Sequence, residues 1–367
     1  MFWESSFLII LGAYLILQLW QLFWVKQQRI SVPKQHFVPK ISVLLAARNE
    51  EENIVRCLKS LSELEYPDYE IIVGNDRSED NTLAIINAFI ATHKILNIKV
   101  VDIVGRFPKT MAKAAVLAEL AHEAAGEIFF ITDADIAVPK TWLRAMVPYY
   151  QDKNIGIVSG TTFISGKGFF GKLQSIDWLY FMCLVETFHR AGVNTTAIGN
   201  NMSVRASAYW QTGGYENIPF SITEDYKIYQ KITGLDWKAI NVCNAEVLAI
   251  GLPIIGLKNL LYQRKRWLLG AKELPTNWWF LFIIFAFYYP ASIALFFVNF
   301  KIALIIFALK FMLQSHYILY CVNRLKISPS SSMIYLFWYE IYLYTATLST
   351  LLFFILPFKT IWKGRAY

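Results

Sequence analysis

Ile128-Phe129-Phe130-Ile131-Thr132-Asp133-Ala134-Asp135 decides the architecture. An uncharged run of β-forming residues reads as a buried strand, and two carboxylates emerge where it meets solvent. Open α/β sheets hold their ligands at that end of the strands. The same grammar repeats upstream. Ile41 to Ala47 reads as a buried strand broken by Arg48-Asn49-Glu50, after which Ile54, Leu58 and Leu61 share one helical face. Tyr66-Pro67-Asp68 turns the chain into a strand at Glu70 to Val73, which ends at Asn75-Asp76-Arg77-Ser78. A helix from about Asp80, a strand at Ile98 to Ile103 and a helix from about Thr110 lead back to Asp133. Such alternation predicts a parallel sheet with helices on both faces. Its strand exits, at Asn49, Asp76 and Asp133, would form the edge of a nucleotide pocket.

Past Asp135 the pattern loosens. Ile155 to Gly160 reads as one more strand, while Gly168 to Met182 is aromatic with few charges and suits an interfacial helix at a membrane surface.

The flanks are different in kind. Of 367 residues, 56% are hydrophobic and 17% charged, too apolar for an ordinary soluble chain of this length. Phe7 to Val25 is long enough to cross a bilayer. Glu4 and no Lys or Arg precede it and no small-residue cleavage site follows, so it reads as an anchor rather than a cleaved signal peptide. Lys26, Arg29, Lys34 and Lys40 come next, which places the middle of the chain in the cytoplasm by the positive-inside rule. Candidate crossings follow at Trp278 to Val298, Ile302 to Val322 and Tyr335 to Phe358, with Pro290 a point at which the first could break into a re-entrant hairpin. Three crossings after the middle domain would put the basic tail Lys359 to Arg365 outside, whereas two would return it to the cytoplasm, so an even number is favoured. Glu340 reads as a helix contact or a snorkelling group rather than an ion path. The expected organisation is an anchor at 1–28, a catalytic domain at 38–275, a transmembrane region at 276–358 and a basic tail at 359–367.

A net charge of +8 invites a nucleic-acid reading, but neither zinc-finger spacing nor a basic helix repeat is present. Anionic lipid headgroups account for it more simply. Cys57, Cys183, Cys243 and Cys321 are far apart and read as ordinary buried thiols.

Two further clusters carry chemistry. Thr223-Glu224-Asp225 offers a carboxylate base, and Gln263-Arg264-Lys265-Arg266-Trp267 a cationic, aromatic clamp. In order and spacing with Asp133-Ala134-Asp135, they make the chain resemble the membrane-bound enzymes of glycosyltransferase family 2. That group includes cellulose, chitin and hyaluronan synthases and the ceramide glucosyltransferase-like proteins. The resemblance implies a GT-A (Rossmann-like) α/β catalytic domain plus transmembrane helices, one N-terminal and two to three C-terminal. It implies donor-binding positions at Ala46, Arg48, Glu50, Asp76, Lys113 and Asp133, with Asp133 and above all Asp135 holding Mg²⁺ or Mn²⁺. Many members have Asp-Asp-Gly-Ser where this chain has Asn75-Asp76-Arg77-Ser78, which loosens base selectivity, with a UDP-sugar the favoured donor. By the same resemblance Asp225 is the catalytic base, Glu224 its runner-up, and Gln263, Arg264, Arg266, Trp267, Asn201 and Glu224 belong to the acceptor and diphosphate side. The tail Trp362-Lys363-Gly364-Arg365 looks like a terminal motif of the ceramide-type members.

The implied function is an inverting, metal-dependent transfer of one sugar from a nucleotide donor to a membrane lipid acceptor, in a multi-pass protein of the cell membrane. The alternative is a processive polysaccharide synthase acting on a glycan, which with so few crossings would need an oligomer or a secretion partner. A catalytically dead scaffold or a small transporter is disfavoured by the intact Asp133, Asp135 and Asp225.

Overall fold

Four parallel strands, β1 (Ile41–Ala47), β2 (Tyr69–Asn75), β3 (Ile98–Asp102) and β4 (Ile128–Asp133), lie in the spatial order β3-β2-β1-β4. The computed structural model describes residues 2–27, 37–93, 97–107, 110–219, 221–274, 276–327, 333–356, 361–362 and 365–366. β1 is buried along nearly its whole length, as expected of a strand covered on both faces.

β5 (Ile155–Ser159), β7 (Asn201–Arg205) and β8 (Lys238–Asn241) complete a seven-stranded sheet ordered β3-β2-β1-β4-β7-β5-β8, while β6 (Thr162–Ile164) pairs with β9 (Ala249–Gly251) apart from it. β7 runs antiparallel to both β4 and β5, so the sheet is mixed rather than parallel throughout. An antiparallel neighbour needs no crossover helix, and the helix–strand alternation that signals parallel pairing is therefore missing there.

α2 (Ile54–Ser62) buries Ile54, Cys57, Leu58 and Leu61 at helical spacing. With α3 (Thr82–Thr92), α4 (Ala112–Glu123), α5 (Trp142–Met146), α7 (Ala206–Gln211) and α8 (Glu224–Thr233) it completes the sheet body, Arg29–Ser165 and Gly192–Leu252.

The helical body takes Met1–Gln28, Gly166–Ala191 and Pro253–Tyr367. It holds α1 (Phe2–Val25), α6 (Gly168–Arg190), α9 (Leu257–Ala271), α10 (Thr276–Val298), α11 (Phe300–Leu325) and α12 (Met333–Ile355). The division falls differently from the expected one, since α6 and α9 group with the helices and not with the sheet. Among the described residues, Glu4–Val25, Trp278–Val298 and Phe300–Leu325 are long and apolar enough to cross a membrane, and α12 is not in that set. α10 runs through Pro290 without breaking, so the re-entrant hairpin is not formed. The segment expected as a short interfacial helix is one continuous helix to Arg190, with Leu173, Ile176, Leu179, Cys183 and Phe188 buried.

Polar side chains join these helices. Gln18 donates to the Tyr180 hydroxyl at 2.8 Å. Glu186 accepts from Arg324 at 2.6 and 3.0 Å and from Arg190 at 2.6 Å. Glu340 is a helix contact, fully buried against Lys310 and accepting from Gln314 at 2.8 Å. All four cysteines are free and buried. In the tail Ile361–Trp362 pairs antiparallel with Arg365–Ala366, while Lys359, Lys363 and Gly364 lie outside the described residues.

Candidate active site

Register brings the ends of the parallel strands level. Ala46 lies beside both Gly74 and Asp133, and Asn75 beside Asp102. Asp76 continues this edge, its N–H donating to Ala47 O at 2.9 Å. Arg48 donates to Asp76 O at 3.1 Å and sits 3.8 Å from the Asp76 carboxylate, so these two candidate donor residues form one unit across neighbouring strand ends. Asn75 donates to Asp102 at 3.0 Å and accepts from Ser78 N. Arg77 has φ +54°, in the left-handed region where an L side chain costs about 1–2 kcal/mol. That is the physical reason a glycine suits this position in the Asp-Asp-Gly-Ser pattern. Glu50 is engaged within the fold. It is 5% exposed, and its carboxylate accepts from Asn53 while its N–H donates to Thr82 at 2.7 Å, tying the start of α2 to α3.

The densest chemistry surrounds Lys113. Its ammonium lies 2.5 Å from Asp133 Oδ1 and 3.5 Å from Glu224 Oε1, and it donates to Gly199 O at 2.9 Å. Burial draws this ammonium down, but the carboxylates of Asp133 and Glu224, followed by Asp225, overcome it and lift Lys113 above the ordinary lysine range. Asp225 opens α8, where the helix N-terminus favours negative charge. Its Oδ2 accepts Gly199 N–H at 2.9 Å and its Oδ1 accepts Tyr226 N–H at 2.8 Å. Each carboxylate oxygen retains a lone pair for a further donor. Gly199 thus serves both sides of the cluster through its backbone. A Cβ there would stand 2.7 Å from Asp225 Oδ2, so no larger residue fits.

Asp133 and Asp135 supply hard oxygen donors from one strand end, and Asp133 already attracts a cation in the form of Lys113. Among the described residues no His, Cys, Asp and Glu gather in threes as a self-sufficient metal cage. A two-carboxylate site suits Mg²⁺ or Mn²⁺, which takes its other ligands from phosphates and water. The residues therefore fit such an ion.

Asn201, expected on the acceptor side, is fully buried and its amide is consumed within the fold. It donates to Thr161 O at 2.8 Å and Val247 O at 2.9 Å and accepts from Trp142 Nε1 at 2.8 Å. It locks β7 to the segments around it, with both of its amide N–H donors used inside the fold.

The Gln-x-x-Arg-Trp residues lie on α9 in the helical body. Arg264 pairs with Asp177 of α6 and donates to the Tyr342 hydroxyl at 2.9 Å. Trp267 packs 5.2 Å from Trp178 and 6.5 Å from Phe181, centroid to centroid. Gln263 and Arg266 sit half-buried on the same helix. Lys265, read as a variable position, donates to Phe353 O at 3.1 Å and Leu356 O at 2.7 Å and so caps the end of α12.

Four residues escaped the sequence reading. Gly199 was legible only as the small residue before Asn200-Asn201. Asp177 was the lone acid in an aromatic stretch, a signal that was available. Glu119 sits on the apolar face of α4 and accepts from Gly105 N at 2.8 Å and Arg106 N at 3.0 Å, fixing the loop after β3. Tyr215 is 1% exposed and its hydroxyl has no partner among the described residues. Burial first, then the nearby Glu224 and Asp225 carboxylates, raises it well above the ordinary tyrosine range.

A mixed sheet with acids at the β4 exit is the GT-A glycosyltransferase fold. A mannosyltransferase from Pyrobaculum calidifontis, solved in complex with GDP-Man and Mn²⁺, has this fold at a TM-score of 0.64 and 20% identity, over 95% of this chain and 98% of that one. The chain belongs to glycosyl transferase family 21, whose profile matches residues 6–367. It is 30% identical over 286 residues to a poly-beta-1,6-N-acetyl-D-glucosamine synthase of Staphylococcus epidermidis, covering 74% of this chain and 65% of the relative. It is 27% identical over 249 residues to a beta-monoglucosyldiacylglycerol synthase of Synechocystis, covering 66% of this chain and 50% of the relative. The chain thus spans between half and two-thirds of the length of these relatives. With three helices able to cross a bilayer, it is a membrane protein.

Proposed function

We propose that this protein is an inverting hexosyltransferase that moves one sugar from a nucleotide donor, of the UDP-sugar type, to a lipid acceptor in the membrane. The observation that carries the reading is the cluster at the sheet edge. There Asp133, from the metal motif, and Glu224 and Asp225, from the base motif, meet around one ammonium and one glycine backbone. Family membership supports glycosyl transfer, and the beta-monoglucosyldiacylglycerol synthase relative supports a lipid acceptor.

In the proposed reaction Asp225 accepts the proton of the acceptor hydroxyl while that oxygen attacks the anomeric carbon. The new glycosidic C–O bond forms as the C–O bond to the nucleoside diphosphate breaks, and the diphosphate leaves with the bonding pair. Two backbone N–H groups hold the Asp225 carboxylate in place for this step. Arg48 and Asp76 would receive the nucleoside end. Asp133 and Asp135 would hold the divalent cation, whose charge, when bound, stabilises the departing diphosphate. In this reading the sheet body faces the cytoplasm, where nucleotide sugars are made available, and the basic residues after α1 support that orientation.

A polymerising reading is favoured by the poly-beta-1,6-N-acetyl-D-glucosamine synthase relative. One experiment separates the two. Membranes containing the protein receive labelled UDP-glucose, UDP-N-acetylglucosamine or GDP-mannose with Mn²⁺, and label is partitioned between organic solvent and precipitated polymer. Label in the organic phase that vanishes with Asp225→Asn is the expected result. Label in polymer would replace the lipid reading with the polymerising one, and full turnover by Asp225→Asn would remove that residue from its role.

A further inference from the structure

The helical body carries an apolar tip that its spanning helices do not explain. Ile255 is 87% exposed, Leu257 is 54% exposed, and Phe169 at the start of α6 is 50% exposed. Large side chains left this open in water are unfavourable, and clustered ones mark a contact surface.

The tip is held in shape. The buried Gln174 amide clamps the loop before α9 on both sides, donating to Ile254 O at 2.9 Å and accepting from Ile254 N at 3.0 Å. Ser175 Oγ accepts from Gly166 N and donates to Gly171 O, each at 3.0 Å, which fixes the turn leading to Phe169. A Cβ on Gly171 would stand 3.7 Å from Pro253, so the two turns lie side by side. Gly256, at φ +83°, makes the reversal into α9 that points the loop outward. Side chains with this exposure on a backbone so firmly tied have been placed there.

The surroundings name the partner. Lys167 and Lys258 are exposed beside the tip, and neither 166–176 nor 252–272 contains an acidic residue. Phe169 packs 6.1 Å from Tyr335 and 5.7 Å from Trp338, centroid to centroid, and Lys172 lies over the Tyr335 ring. Aromatic rings of Trp and Tyr with lysines beside them are the residues that settle at the headgroup level of a bilayer. Basic residues there attract anionic lipids.

We infer that Ile255, Leu257 and Phe169 form an insertion tip that enters the membrane interface at a surface containing anionic phospholipid, independently of the spanning helices. The inference rests on the exposed tip and the basic, aromatic residues beside it and not on the transfer reaction, so failure of one leaves the other standing.

The four native cysteines are buried, so Ile255→Cys gives the full-length protein a single accessible thiol for an environment-sensitive fluorophore. Glu51→Cys, at an exposed position of the sheet body, is the aqueous control. Both are reconstituted in phosphatidylcholine–phosphatidylglycerol vesicles, and quenching by nitroxide-labelled lipid is compared with quenching by iodide. Insertion predicts blue-shifted emission at position 255 and lipid quenching roughly twofold or more above the control, with iodide protection. Iodide quenching without lipid quenching overturns the inference. So does protection from both quenchers, which would mean that protein, such as a second copy of the chain, covers the tip. Leu257→Cys repeats the measurement should Ile255→Cys fail to fold.

Discussion

Replacing Lys113 by methionine tests the site most directly, because one ammonium serves both acidic motifs. In the wild-type protein Lys113 holds Asp133 at 2.5 Å, so a divalent cation must displace or share that contact. Removing one partner of a fully buried ion pair costs about 3–5 kcal/mol, and an exposed pair is worth about 0.2–1 kcal/mol. The side chains here are 22% and 36% exposed, which, after discounting for solvent screening, places the pair between these limits at about 1–2 kcal/mol. That amount is a factor of roughly 5–30 in an equilibrium. Lys113→Met should therefore bind Mn²⁺ roughly 5–30-fold more tightly in the absence of nucleotide, with some loss of thermal stability from the uncompensated acids. The assay is titration of purified full-length protein with Mn²⁺, following the free ion by electron paramagnetic resonance, and thermal unfolding checks that the variant is folded. Lys113 has a raised pKa, so its contribution is fully present below the unfolded value of 10.5 and fades only as pH rises through the folded value. The difference between the two proteins should hence be flat from about pH 6.5 to 8.5. Unchanged or weaker Mn²⁺ binding by the variant would refute the competition and remove Asp133 from the cation site.

Other consequences follow from the same geometry. Gly199→Ala pushes a methyl to within 2.7 Å of Asp225 Oδ2 and should lower kcat at least about tenfold while Mn²⁺ binding is kept, as read from steady-state rates. Asn201→Ala strands Trp142 Nε1 and removes the side-chain donors to Thr161 O and Val247 O, so it should lower stability by about 2–3 kcal/mol in denaturant unfolding of the folded, active variant, without a selective rise in acceptor KM. Arg77→Gly relieves the left-handed backbone at φ +54° and should be neutral or stabilising by up to about 1 kcal/mol, measured by thermal unfolding.

Strands β1 and β4 were legible because a parallel strand buried on both faces is a continuous apolar run, and its polar end announces itself by contrast. Asp133 and Asp135 were legible as acids at such a boundary, and Asp225 as an acid in the Thr223-Glu224-Asp225 cluster. Asn201 was misread for the opposite reason, because a polar residue fully buried among backbone carbonyls looks in sequence like one facing a ligand. Glu50 is a second example. Both reveal their task only through partners 3 to 59 residues away, Asn53 for Glu50 and Trp142 for Asn201 being the extremes.

By itself the sequence determined the α/β core, the apolar flanks and the kinds of acid available, since these depend on local periodicity and composition. Tertiary structure alone decided that β7 enters antiparallel beside β4, that Lys113 joins Asp133 at the β4 exit to Glu224 at the start of α8, and that Gly199 contacts Lys113 and Asp225 through its backbone. It alone decided, too, that Gln174 clamps Ile254 and so holds the loop that carries the exposed Ile255. Each of these depends on residues far apart in the chain meeting at hydrogen-bond distance, and no local pattern encodes such a meeting.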